Sequence, residues 1–186
     1  MFTTRTRSSR LRRAAPAALL AALLLGPLVP DAALADDDPR AERFRGEAIG
    51  IVETTGDYEE AADHLVTTAM LMEEGDVDRA TNLRLAGRLY HHARSLEKAR
   101  FALLDAGISA FEAGEAALAA HIFLDAAEVA QEQGVPGAAE SAAERAGWVL
   151  REGVLTAAER RDVLDRVRYG DAGPETGRDG DTKMAG

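Results

Sequence analysis

A pair of small residues returns every twenty residues through the middle of this 186-residue chain. The pairs are Ala86-Gly87, Ala106-Gly107, Ala126-Ala127 and Ala146-Gly147. Residues that break helices recur with nearly the same spacing, at Gly56, Gly75, Ser95, Gly114, Gly134 and Gly153. A fixed period of this length is typical of proteins built from stacked repeats. The period therefore predicts one helix between each two successive breakers.

The capping residues predict where these helices begin. Asp57 with Glu60 and Thr156 with Glu159 each have the spacing of a capping box, in which two side chains satisfy backbone N–H groups at a helix start. Pro136 suits the first turn of a helix, where its missing N–H costs nothing. The predicted helices cover about 40–55, 57–74 and 76–93, and four more begin at 95, 115, 136 and 156, the last ending near 169.

Short connections decide how these helices are arranged. Helices of ~16 to 18 residues joined by two- or three-residue turns must run antiparallel to their neighbours. Two helices make one unit of about 39 residues, as from Gly75 to Gly114. The predicted fold class is all-α, with antiparallel helical hairpins stacked as a short α-solenoid of about seven helices. An up-down helical bundle is the alternative.

The first 35 residues have the pattern of a secretory signal peptide. Five arginines between Arg5 and Arg13 precede an apolar run over 14–29, and Ala33-Leu34-Ala35 follows. Because prolines interrupt the run and it is shorter than the ~20 residues of a membrane-spanning helix, a transmembrane anchor is not expected. We predict cleavage after Ala35 and export to the periplasm or the extracellular medium. The chain then divides into a signal peptide (1–35), an acidic leader (36–39), a helical-repeat domain (40–169) and a disordered tail (170–186).

Charge and cysteine content exclude several classes of partner. The first 35 residues hold five of the 22 basic and one of the 32 acidic residues, which leaves 17 against 31 and a formal charge of −14. Nucleic acid and anionic membranes are therefore not expected as partners, because both require a basic surface. The chain has no cysteine, so neither disulfides nor thiol chemistry is available.

The central unit resembles a tetratricopeptide repeat. A large and a small residue of its first helix, a turn glycine, and a small-large-small set in its second helix match that family's pattern: Leu103, Gly107, Gly114, Ala119, Phe123 and Ala126. The unit departs from the family in being longer than the usual ~34 residues and in having only Pro136 as a closing proline. The resemblance implies a scaffold that binds a protein or peptide, with the first helix of each unit lining a concave groove.

Carried over to this chain, the family's groove positions fall on apolar residues. They are Leu65, Ala69, Met72, Phe101, Leu104, Ile108 and Phe111. One interpretation is an apolar groove for an amphipathic helix or an extended peptide. The other is an ordinary core stripe covered by the first or the last helix. Trp148 is expected to seal the last helices, and the run from Met70 to Met72 to fill gaps in the core.

No pattern of residues indicates a catalytic, cofactor or metal site. The histidines are His64, His91, His92 and His121, and the adjacent pair point ~100° apart on a helix, so they cannot share an ion. We therefore predict that the protein is not an enzyme. Two alternatives stay open: an enzyme whose site is assembled from distant residues, and a periplasmic stress- or metal-responsive helical protein. The second is suggested by the segment from Leu155 to Glu159, which helix capping also explains.

Overall fold

The structure, a computed structural model, describes residues 39–169, and the regular elements in this range are all α-helices. They are α1 (Pro39–Thr55), α2 (Tyr58–Ala69), α3 (Val77–His92), α4 (Leu96–Glu112), α5 (Ala116–Glu132), α6 (Pro136–Glu152) and α7 (Ala157–Tyr169). The all-α prediction is confirmed. The predicted signal peptide and its cleavage site, the leader up to residue 38 and the predicted tail lie outside the described residues.

Capping side chains begin both helices for which the sequence predicts a capping box. At α7 the capping box is complete: the Glu159 N–H donates to Thr156 Oγ1 at 3.2 Å, and the Thr156 N–H donates to Glu159 Oε2 at 2.7 Å. Hydrogen bonds from the Thr156 hydroxyl and then from its N–H to the Glu159 carboxylate lower the pKa of Glu159. At α2 only half of the box forms, because the Asp57 carboxylate accepts from two backbone N–H groups while its own N–H donates to Thr55 Oγ1 at 3.0 Å.

Glycines in the left-handed region lie in four of the six connections between helices. Gly56, Gly75, Gly114 and Gly134 have φ values of 73°, 79°, 84° and 78°. Glycine adopts this conformation without the steric cost that a Cβ adds, so the predicted turn at Gly114 is confirmed. After α3 the same conformation falls on Arg94, with φ of 62°. Ser95, which precedes α4, makes no capping hydrogen bond and instead donates its hydroxyl to Glu59 at 2.8 Å.

Helix α2 ends at Ala69, well before the predicted end at 74. The Thr68 hydroxyl bonds the carbonyls of His64 and Leu65 one turn earlier, at 3.0 Å each. N–H groups that follow donate to carbonyls three residues back, which tightens the last turn as at the end of many helices. Residues 70–76 therefore form a longer turn than the other connections.

Two of the small-residue pairs, those with Gly87 and Gly107, are sites of close helix packing. A Cβ added to Gly87 would lie 2.6 Å from the side chain of Leu103 on α4, and one added to Gly107 would lie 2.6 Å from Phe123 on α5. Each glycine thus receives a large side chain of the next helix. Buried large side chains recur at multiples of twenty residues, at Leu83, Leu103, Phe123 and Val163, all at most 3% exposed, and the series is interrupted by the exposed Ala143.

From α1 to α6 each helix packs mainly against the next, whereas α7 packs mainly against α5, and side chains also join other helices two apart. Arg84 on α3 contacts Asp125 on α5, Lys98 on α4 contacts Glu59 on α2, and Phe111 on α4 contacts Trp148 on α6. We call α1, α3, α5 and α7 the odd row, and α2, α4 and α6 the even row. This consecutive packing is that of stacked antiparallel helices.

Candidate functional site

Helix α4 has a buried face and a partly exposed apolar face. Its small residues and Leu103 point into the stack. On the other side Phe101 is 51% exposed and Ile108 is 39% exposed, while Leu104 and Phe111 are partly exposed. These four predicted residues, spaced three, four and three apart, form what we call the apolar stripe. The structure therefore places this part of the predicted groove at the surface.

Trp148 extends the apolar stripe onto α6. Its ring centroid lies 4.6 Å from that of Phe111, with the two planes tilted by 55°. Trp148 is 44% exposed, so it does not seal the last helices as the sequence analysis expected. A signal for this placement exists in the sequence: Ile108 follows Gly107 and Trp148 follows Gly147, so the two residues occupy the same repeat position two periods apart.

The turn after α2 adds exposed apolar residues to the even row. Met70 is 56% and Leu71 is 78% exposed, so these two residues do not fill gaps in the core as expected. Met72 is partly exposed and accepts a hydrogen bond on Sδ from Asn82 at 3.6 Å. A Cβ on Gly75 would lie 3.5 Å from the Glu112 carbonyl oxygen. The turn therefore contacts the end of α4, where the apolar stripe also ends.

Two of the predicted groove residues belong to the core. Leu65 and Ala69 on α2 are 0% exposed. Helix α2 packs against both α1 and α3, so the face that carries these side chains is covered. They offer no surface to a partner, and the surface of the even row is formed instead by the apolar stripe, Trp148 and the turn after α2.

A polar cluster borders the stripe at the beginning of α4. The Lys98 ammonium lies 2.8 Å from Glu59 Oε1 and 3.2 Å from Asp63 Oδ1. Hydrogen bonds from Lys98 and then Ser95 lower the pKa of Glu59, and the same contact with Glu59 raises the pKa of Lys98. The buried Tyr90 hydroxyl donates to Asp63, and burial raises the pKa of Tyr90 above its ordinary value. The even row thus changes from polar to apolar along α4.

Charged side chains stand along the edge of the stripe. Asp105 and Glu112 are exposed, and each follows a stripe residue in the sequence. Partial burial raises the pKa of Asp105, while the positive charge of Arg79 acts in the opposite direction. The Arg100 guanidinium lies 4.4 Å from the Phe101 ring centroid, and its Nε donates to Gln133 at 3.1 Å.

The histidines are distributed among separate partners. Nε2 of His64 lies 3.2 Å from Glu47, that of His91 lies 2.5 Å from Glu132, and that of His121 lies 3.0 Å from Asp162. The His92 ring stacks on Tyr58, with centroids 5.6 Å apart. Within residues 39–169, no three histidine or carboxylate side chains come together as ligands of one metal ion.

Comparison with known proteins adds no relative. No protein-family model, curated protein or solved structure matches this chain. The resemblance to tetratricopeptide repeats therefore stays a prediction that rests on the residues quoted for it. In the part of the chain that the structure describes, no helix has the length and apolar character needed to cross a membrane.

Proposed function

We propose that this protein is an exported helical-repeat scaffold that binds a protein or peptide partner through its even row. The observation that carries the proposal is the concentration of exposed apolar side chains there. Of the nine large apolar residues that are exposed within residues 39–169, five belong to the even row or the turn after α2. They are Met70, Leu71, Phe101, Ile108 and Trp148. Exposed apolar patches that include aromatic side chains are typical of interaction sites.

The repeat itself does not require these side chains to be apolar. The residue after each small-residue pair is Ile108 on α4 and Trp148 on α6, but Arg88 on α3 and Glu128 on α5. The Glu128 side chain is 53% exposed and forms an ion pair with Arg166. Charged residues therefore suit this position in the same stack. We attribute the apolar choice in the even row to a partner.

Two further observations support the proposal. The resemblance to tetratricopeptide repeats implies that first helices, here α2 and α4, line the binding groove. The pattern of residues 1–35 is that of a secretory signal peptide, so the expected place of action is the cell envelope or beyond.

Site-specific photo-crosslinking in the producing cell tests the binding surface. A photoreactive amino acid replaces Ile108 in one variant and Val167, an exposed apolar residue of α7, in the control variant. We expect a discrete adduct of higher mass from position 108 and none of that mass from position 167. Equal adducts from both positions, or none from either, would contradict the proposed surface.

The proposed export has its own test. Mass spectrometry of the protein purified from its native cell should find a chain that begins at Asp36. A mature chain that retains Arg12 and Arg13 would refute export by signal cleavage while leaving the binding surface to the crosslinking test.

A further inference from the structure

The apolar stripe has the spacing of a coiled-coil seam. Phe101 and Ile108 are seven residues apart, and Leu104 and Phe111 follow them by three residues each. These are heptad positions a and d, which meet the partner helix in a coiled coil. The seam is part of the surface of α4. Phe101 is 51% and Ile108 is 39% exposed, and Leu104 and Phe111 are partly exposed.

Acidic residues occupy two of the three e positions of the seam, which help to determine partner choice, and the third, Lys98, is already held in the polar cluster. In the same heptad frame Asp105 and Glu112 both fall at position e, whose charges pair with those of the facing helix. Both side chains are exposed. The basic residue at position g, Arg100, already donates to Gln133 and lies over the Phe101 ring. From Asp105 onward the open edge of the seam therefore carries acidic side chains, with the positive charge of Arg79 acting on the first of them.

We propose that α4 pairs with an amphipathic helix of the partner that has an apolar a/d stripe and lysine or arginine opposite Asp105 and Glu112. This inference rests on the proposed function and adds the partner's chemistry to it. The net charge of residues 39–169 also favours a cationic partner. This range holds 24 acidic and 15 basic residues, so it attracts a cationic segment over distance. In an antiparallel pairing a second copy would place the carboxylates of two α4 helices against each other, which disfavours that occupant.

Trp148 provides a built-in reporter of binding. It is the only tryptophan of the chain, and it contacts Phe111 at the seam, so its fluorescence should shift to shorter wavelength when a helix covers the stripe. The probes are two synthetic peptides of three heptads with leucine at positions a and d. One has lysine at positions e and g, and the other has glutamate there. We expect the lysine peptide to bind about tenfold or more tightly than the glutamate peptide at low salt, with the difference shrinking as salt is added.

A charge reversal at the seam makes the test specific. Glu112→Lys should weaken binding of the lysine peptide and strengthen binding of the glutamate peptide. The ratio of their affinities should therefore fall by about fivefold. Glu53→Lys on α1 is the matched control, because Glu53 is equally an exposed glutamate and the net charge changes by the same amount. That control should leave the ratio within about twofold. Circular dichroism verifies that both variants keep the helical content of the parent.

The outcomes separate this inference from the proposed function. Equal affinities for both peptides, with no response to Glu112→Lys, would overturn the charge inference and leave the apolar surface as a binding site. No shift of Trp148 fluorescence with either peptide would overturn the helical partner, while crosslinking at Ile108 still decides the proposed function. Sedimentation that shows self-association, lost in Ile108→Ser, would assign the seam to a second copy and also overturn the inference.

Discussion

The odd and even rows follow the same period, yet the two rows present different kinds of side chain to the solvent. The odd row is joined by ion pairs: Asp125 on α5 lies 3.1 Å from Arg84 on α3 and 2.6 Å from Arg166 on α7. In the even row, the ring of Phe111 near the end of α4 contacts that of Trp148 on α6. The difference shows that a twenty-residue period describes the core, whereas the surface repeats only after two helices.

The odd row uses its charges for its own packing. Arg45 on α1 lies 2.8 Å from the buried carboxylate of Asp78 on α3, and Arg166 also donates to the His121 carbonyl. Each of these arginines is mostly buried and contacts a helix two places away. Such contacts align the odd helices and leave little chemistry for a ligand. The even row instead exposes Phe101, Ile108 and Trp148, which is why we propose the binding surface there.

The largest effect should come from removing the central carboxylate of the odd row. Asp125→Ala leaves Arg84 and Arg166 facing each other with side chains only 21% and 12% exposed. We expect the free energy of unfolding to fall by about 2–3 kcal/mol, since a partly buried charge then lacks its partner. Urea denaturation measures this loss. Glu128→Ala, which removes a more exposed partner of Arg166, should cost less than about 1 kcal/mol. Equal costs would remove the distinction between the inner and outer charges.

A smaller loss is expected in the even row. The double variant Phe101→Ser and Ile108→Ser removes side chains that are already 51% and 39% exposed. The free energy of unfolding should therefore fall by only about 1–2 kcal/mol. The same variant should abolish the crosslinked adduct, now recorded from a photoreactive group at Leu104. Val167→Ser on α7 should retain it. A stability loss above about 4 kcal/mol would show that the stripe is core instead of surface.

The pH dependence of stability gives a third test, centred on His121 in the odd row. Burial, followed by the charge of Arg166, lowers its pKa, and Asp162 opposes this only in part. The unfolded chain therefore binds the proton more readily, so stability is complete above about pH 6.5 and falls as the pH drops below that value. Denaturation on either side of this pH should show the fall, and His121→Gln should reduce it. His92→Gln, at an exposed position, should not. An unchanged fall in His121→Gln would refute the assignment.

Helix positions could be predicted from the sequence because they depend on local signals. The capping box at Thr156 and the glycine turn at Gly114 are decided by a few neighbouring residues, and the structure reproduces both. The early end of α2 could not be predicted in this way. It combines the hydroxyl bonds of Thr68 with a turn that fits against the end of α4.

The surface was less predictable, since exposure depends on which helix covers which face. The groove positions carried over from the tetratricopeptide resemblance included Phe101 and Ile108, but they also included Leu65 and Ala69, which α1 and α3 cover. Trp148 was missed because its size suggested a core residue. Its equivalence to Ile108 two periods earlier was the signal that could have placed it beside the stripe.

The smallest predicted effect concerns the turn after α3, where an odd-row charge replaces a glycine. Within residues 39–169, Arg94 is the one non-glycine residue with a positive φ, and its guanidinium lies 2.5 Å from Glu132 on α5. A side chain in this conformation costs about 1 kcal/mol that glycine does not. Arg94→Gly should therefore be more stable than Arg94→Ala by about 1 kcal/mol, because both variants lose the contact with Glu132 and only one keeps the strained backbone. Thermal and urea denaturation of the two variants measure the difference.

The parent should lie between these two variants, or close to Arg94→Gly, depending on how much the exposed contact with Glu132 contributes. Gly114→Ala is the matched control in the even row, since it adds a Cβ at a φ of 84° where no charge is gained, and it should destabilise the protein by about 1 kcal/mol. If Arg94→Gly proves no more stable than Arg94→Ala, the left-handed turn after α3 is refuted. A higher stability of Arg94→Gly than of Arg94→Ala would show that the left-handed backbone at this turn has a cost, which the protein bears while the Arg94 guanidinium contacts Glu132 on α5.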